Sequence, residues 1–584
     1  VSTPTNWPKF DIAECITLYS QKRFDKLCEI IFGVIKHFND QLYGGFGRED
    51  LKQLNTFVEF VFFLMTREDF RLPDVWIPLF TNINHIFANI VASTGYKTTD
   101  GVLKSVLYQQ GNYAKILFLY TCRNEPIIPI QELIKLNPPL ATIWWNNFSV
   151  APPGSLSARV YENMQAHLMN FTPELILTDI RTQPIYFQCS YHGIDERPIK
   201  EWQNKQIQKL NAHVKIRCKP RKGRVAIITD KWVPTTAVYK SSYPQIAELA
   251  KKYDLTLVRS SRCHATEVDK TLFKRIIDIK FSPHGLDMSP LQTSDFELAY
   301  FPDVGMTDES VYMANLRLAP IMVCGYGHPV STYGSRIDYF IGGLESECIE
   351  LHEDNYSERL VLIPGIGAHP VDPKYQKKHP QSTEKFYINC CWTTSKINWP
   401  MLAMLQRIQS RASKPVHYQF YPSWTGVRYN CFPSLVEEMS RLFNQGVTVH
   451  GNLQYQPYLE SMEKGSLTID SYPFGGYNTI VDSLFVGCPV VTIEGTKFYN
   501  RASSALSRRV GIDLSTRSIA DCEARVLELI ANPDKLMELR SRLDNEDYLR
   551  ERLLHTNEQI YFVKAIDYLI ANHPVPGTAP IIIQ

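Results

Sequence analysis

The chain is 584 residues long, 44% hydrophobic and 21% charged, with a formal net charge of +2 at pH 7. This length and composition describe a globular protein of roughly three or four domains. With a nearly balanced charge, nothing in the molecule as a whole points to nucleic acid or a bulk anionic membrane as a partner.

In chain order, the first ~150 residues read as helices. FDKLCEIIFGVIKHF places Phe24, Leu27, Ile31, Val34, Ile35 and Phe38 on one stripe, and similar segments follow at Leu51–Met65 and Ile77–Val91. The longest apolar run, Phe57–Met65, contains a Glu and falls short of the ~20 residues that span a bilayer, so no transmembrane segment is expected. The opening residues do not read as a signal peptide. Trp144 and Trp145 are expected to pack helices, although such pairs also line sugar sites.

From Arg224 the pattern changes to short β-rich runs between helices: RVAIITD, LTLVRS, RIIDIKF, LAYFPD, APIMVCGYG and DYFIGG. Alternation of this kind predicts a parallel sheet. After RLVLIPGIG, the polar stretch HPVDPKYQKKHPQSTEK reads as a linker. A second series follows in FYINCC, VHYQFYP, VTVHG, LTIDSYPF and CPVVTI, and the chain closes in helices over 519–532, 534–543 and 558–571. The expected fold is α/β of the GT-B kind, with two Rossmann-like halves facing a cleft, preceded by an all-α N-terminal domain. The boundaries expected are 1–195 for the helical domain, 196–368 for the first half and 369–584 for the second.

The densest chemical signal is SYPFGGYNTIVDSLFVGCPVVTIEG, Ser471 to Gly495. It reads as strand, Gly-Gly turn, helix and strand, and a helix entrance of this kind binds anions through free N–H groups and the helix dipole. Asn478 and Asp482 lie four apart on one face. A carboxylate there repels a phosphate but suits a ribose diol. An ordinary βαβ crossover is the plainer alternative. Lys396 follows FYINCC in a loop with Thr393, Thr394 and Ser395, a set suited to a diphosphate, or else a solvated lysine ahead of a helix. His328, in GYGHPVST at a strand end, is a candidate phosphate donor or base, with a core or capping role as the alternative. His450 opens a loop after VTVH, and His264 and His284 are weaker candidates. Tyr421 and Trp424 flank a loop where a base could stack.

Thirteen cysteines, with an adjacent Cys390–Cys391 pair and no C-x-x-C, argue against a disulfide framework and against a cysteine zinc site. A reducing, cytoplasmic compartment is therefore expected. The sequence carries no H-E-x-x-H, Walker A or G-x-S-x-G motif and no acidic D-x-D pair. A reaction without metal or cofactor is the expectation.

Together, ANLRLAPIMVCGYGHPVST, the TTSK loop and PFGGYNTIVDSLFVGCPVVTIEG resemble glycosyltransferase family 41, the family of O-GlcNAc transferase and of the bacterial cytoplasmic N-glycosyltransferases of high-molecular-weight adhesins. The resemblance spans roughly Arg224 to Ala571. It implies a GT-B fold and inverting, metal-independent transfer from a UDP-sugar to a protein side chain, with glucose and Asn in N-x-S/T as the first choices and an adhesin as a possible acceptor. By that resemblance Lys396 binds the diphosphate and Asp482 the ribose. Gly475, Gly476, Asn478 and Thr479 form the phosphate entrance, and His328 matches the histidine of the bacterial GHP turn. Thr393, Thr394, Ser423 and His450 complete the expected donor site. Two features depart from the bacterial pattern. The loop TDKWVPTTAVYKSSYP has no histidine, and YPSWTG lacks a glutamine before the S/T-G. These departures keep open a Ser/Thr or glycan acceptor and a catalytically degenerate binding scaffold.

Overall fold

The computed structural model describes residues 10–39, 46–148, 150, 154–169, 171–172, 174–178, 181–260, 268–282, 285–378, 385–422 and 431–584. The chain divides into two compact units, one of 1–176, 392–410 and 416–454, the other of 177–391, 411–415 and 455–584.

The first unit opens with helices. Phe24–Phe38 buries Leu27, Cys28, Ile31, Val34, Ile35 and Phe38, the stripe that the 3.6-residue period predicts. Arg48–Thr66 and Ile77–Ala92 form where the apolar spacing places them. Trp144 and Trp145 are both fully buried. Trp144 Nε1 donates to the Tyr120 carbonyl at 2.9 Å and Trp145 Nε1 to that of His167 at 3.2 Å, so the pair packs helices. The unit also holds the helices Trp399–Arg411 and Phe432–Leu442 and the parallel strands Val416–Phe420 and Val447–Val449.

The second unit is built on a sheet of nine strands among the described residues. Arg224–Ile228 lies in its interior. On one side come Asp254–Ser260, Arg275–Ser282 and the antiparallel Gly285–Asp287. On the other come Leu298–Phe301, Ile321–Cys324, Tyr339–Gly343, Arg359–Ile363 and finally Ile581–Ile582, all parallel. Side chains alternate faces along a strand. Ala226 and Ile228 therefore enter one core with Val311 and Tyr312, while Val225 and Ile227 enter another with Ile246 and Leu249. Strand order reverses direction between Arg224–Ile228 and Leu298–Phe301, and ligands of open parallel sheets bind beyond the carboxyl ends at such a point.

A further parallel set in this unit runs Phe386–Cys390, Leu467–Ile469, Val490–Ile493 and Ser515–Thr516. The closing helix Glu558–Asn572 returns to the nine-stranded sheet, where Phe562, Ala565, Ile566 and Leu569 are buried against Tyr300, Val323 and Ile341. Its Glu558 accepts from the Gly367 amide at 2.7 Å and from Arg509 at 2.7 Å, which fixes the helix entrance. Among the described residues no helix is long and apolar enough to cross a membrane. The twelve described cysteines are all free.

Candidate functional site

The Gly-Gly turn is held from beneath by Asp470, the residue after Leu467–Ile469. Its carboxylate accepts from the backbone amides of Ser471 and Gly476, both at 2.8 Å, and from the Ser503 hydroxyl. Gly475 donates to the Tyr499 carbonyl at 2.8 Å. A Cβ on Gly475 would lie 2.7 Å from Asp470 Oδ2 and 2.9 Å from that carbonyl, so only glycine fits. The helix Asn478–Phe485 then begins without a side-chain cap, which leaves donor capacity at its N-terminus. Gly475 and Gly476 are buried, whereas Asn478 and Thr479 are part-exposed. Asn478 Oδ1 has no hydrogen-bond partner among the described residues.

Asp482, one turn on, is 5% exposed. Burial pushes its carboxyl up to about 7, and the Tyr455 hydroxyl, the Lys240 charge and Tyr458 pull it back. Tyr455 donates to Oδ1 at 2.7 Å, and Lys240 Nζ stands 5.4 Å over the Tyr455 ring. The second carboxylate oxygen is not engaged by Tyr455, and a carboxylate accepts on both oxygens, as ribose hydroxyls require.

His328 follows Ile321–Cys324, and the Gly327 amide ties its turn to the Pro302 carbonyl at 2.6 Å. His328 is 2% exposed. Phe187 covers it at 4.8 Å and Phe474 lies parallel at 6.4 Å. Phe474 is itself stacked between Tyr191 at 4.2 Å and Tyr499 at 4.7 Å. The second unit thus brings His328 and the residues leading into the Gly-Gly turn into one aromatic cluster. Burial, and then the charge of Lys200, hold the His328 imidazole well below its usual value, so the ring is neutral.

The remaining donor-site candidates that are described, Thr393, Thr394, Lys396 and His450, lie in the first unit. Thr394–Lys396 forms a 3₁₀ turn in which the Lys396 amide donates to the Thr393 carbonyl at 2.8 Å. The Lys396 carbonyl accepts from Asn398 Nδ2 at 3.0 Å. Thr394 is buried, and Thr393, Ser395 and Lys396 are part-exposed. Thr393 Oγ1 is 3.4 Å from Ser395 Oγ. The ring of His450 stacks on Tyr421 at 4.5 Å and its Nε2 is 3.4 Å from Gln419 Oε1. Ser423, Trp424, His264 and His284 lie outside the described residues.

Four residues that the sequence reading did not select lie beside these candidates. Asp470 was signalled by its place between an apolar strand and two glycines. Asp303, at the end of LAYFPD, is fully buried beside the switch point, and burial pushes it up to about 7. Tyr455 and Lys200 carried no local signal, since each acts on a partner distant in sequence.

The fold is of the GT-B glycosyltransferase class. The chain superposes on a mutant of the Thermobaculum terrenum O-GlcNAc transferase with a TM-score of 0.57 at 16% identity, covering 85% of this chain and 97% of that one. In sequence it resembles the UDP-glucose:protein N-beta-glucosyltransferases of Actinobacillus pleuropneumoniae serotype 5b (strain L20) and serotype 7 (strain AP76), each 26% identical over 261 residues. The match spans 43% of this chain and 41% of each relative's length. No family model matches the chain.

Proposed function

We propose that the protein is an inverting glycosyltransferase that moves glucose from UDP-glucose to a protein side chain, Asn in N-x-S/T being the first candidate. The observation that carries this reading is Asp482, a buried carboxylate one turn into an uncapped helix behind a Gly-Gly turn. Diphosphate at the helix entrance and ribose on the carboxylate match that polarity. In the proposed reaction the acceptor atom attacks the anomeric carbon, UDP leaves with the electron pair of the broken bond, and the acceptor's proton passes to a general base. Lys396 is assigned the negative charge of the leaving diphosphate on its sequence context, and Thr393, Thr394 and His450 the rest of the nucleotide. With no acidic D-x-D pair in the chain, the transfer is proposed to run without a divalent ion. A cytoplasmic setting and an adhesin-type acceptor belong to the same reading, on the motif resemblance to glycosyltransferase family 41 alone. The histidine-free loop after Arg224–Ile228 supports a second reading in which the acceptor is a Ser or Thr hydroxyl.

Calorimetric titration with UDP, with magnesium and with chelator, tests the donor half. Wild type is expected to bind equally in both conditions, and Asp482→Ala to lose binding by at least about tenfold. Absence of UDP binding to wild type would overturn the reading and leave a scaffold role in front. Acceptor peptides with Asn, or with Ser and Thr alone, then separate the two acceptor classes by mass gain.

A further inference from the structure

Lys200 lies on the helix Arg197–Leu210 and is fully buried. Its Nζ donates to the Ser331 carbonyl at 3.2 Å, lies 3.5 Å from His328 Nε2, and sits 4.6 Å over the Tyr186 ring. The neighbouring carboxylates are turned to other groups. Glu196 takes Lys497 at 2.6 Å, and Glu358 takes the Ser331 hydroxyl at 2.6 Å and the Thr332 amide at 2.8 Å. Burial lowers the Lys200 pKa, while Cys189, Glu196 and Glu358 favour its charged form; as an ammonium it has donors only, so its buried surroundings must supply acceptors. Here they are a carbonyl, an aromatic face and one imidazole nitrogen.

That nitrogen decides the state of the ring. An Nε2 that accepts from Lys200 carries no proton, and in a neutral imidazole the proton then sits on Nδ1. A second observation is independent of the first: His328 Nδ1 is buried and has no hydrogen-bond partner among the described residues. The ring has little freedom to turn, because Phe187 covers it and the Gly305 backbone approaches so closely that a Cβ there would come within 2.9 Å of His328 Cδ2.

We propose that Lys200 is a positioning residue whose ammonium, buried against Nε2, fixes His328 as the Nδ1–H tautomer, so that His328 serves as a hydrogen-bond donor to an acceptor oxygen of the substrate and not as the base. The functional half of this statement rests on the glycosyl-transfer reading; the tautomer does not. His328 then takes no proton from the acceptor, and the base is another group.

The test is long-range proton–nitrogen NMR of the full chain labelled with ¹⁵N-histidine at neutral pH, with His328→Gln identifying the resonances. Wild type is expected to show a protonated Nδ1 and a bare Nε2 at His328. Lys200→Met keeps the aliphatic stem and removes the donor. It is expected to mix or reverse the tautomer and to lower kcat by about tenfold or more with KM for the UDP-sugar less affected, and Lys200→Arg to recover part of both. An Nε2–H or doubly protonated ring in wild type would overturn the proposal, as would a Lys200→Met enzyme unchanged in both tautomer and turnover. If Lys200→Met does not fold, the wild-type spectrum decides alone. That spectrum needs no substrate, so an absence of sugar transfer counts against the proposed function and leaves the tautomer assignment standing.

Discussion

At the scale of single residues, Asp482 combines burial with a short hydrogen bond from Tyr455. Its carboxyl is pushed up to about 7, against about 4 in an unfolded chain. The folded state therefore binds the extra proton between those values. Stability contributed by this group is greatest below about pH 4, falls as pH rises through the window, and levels off above about pH 7. Donor binding runs the other way, since ribose hydroxyls need the ionised acceptor. UDP affinity is expected to rise as pH increases through about 7, read by calorimetry in a pH series. Tyr455→Phe removes the hydrogen bond that lowers the carboxyl, so the same profile should move to higher pH. An unmoved profile would exclude the Tyr455–Asp482 pair as its cause.

At the scale of elements, the Gly-Gly turn and the closing helix show two ways in which sequence places structure. The turn is local. Asp470, Gly475, Gly476 and Asn478 lie within nine consecutive positions, and a single carboxylate gathers the backbone amides around it. The helix Glu558–Asn572 is legible as a helix, but the sheet it packs against is fixed by residues distant in sequence, Tyr300, Val323 and Ile341 among them. Leu569, fully buried in that core, is the direct probe. Leu569→Ala is expected to cost about 2–5 kcal/mol, seen as a lower midpoint of chemical unfolding. The helices were readable from their 3.6-residue period of burial, and the strands as short continuous apolar runs, since strands such as Leu298–Phe301 and Ile321–Cys324 are buried at every position. The short helix Glu546–Leu553 was not, because its charged sequence buries only Leu549 and Leu553.

At the scale of the whole molecule, buried charge is used to hold distant segments of the second unit together. Lys497 reaches Glu196, whose side chain is fully buried, and also the Tyr333 hydroxyl at 3.1 Å. Removing one partner of a buried pair leaves an uncompensated charge, typically at a cost of about 3–5 kcal/mol. Lys497→Met should therefore lower the thermal midpoint, whereas Lys97→Met, whose exposed partner is Glu437, should leave it nearly unchanged. The contrast is read by thermal unfolding of the two variants side by side.

The sequence by itself determined the alternation of strands and helices, the Gly-Gly turn with Asn478 and Asp482 on one helix face, and the likeness to a glycosyltransferase family. All of these reside in local spacing, which the backbone periods convert directly into structure. Only the tertiary structure decided that His328 is buried against Lys200, that Tyr455 reaches Asp482, and that the closing helix and strand return to the nine-stranded sheet. The physical reason is desolvation by distant neighbours. Whether a polar group keeps water or exchanges it for a partner depends on residues tens to hundreds of positions away, and no local pattern records them.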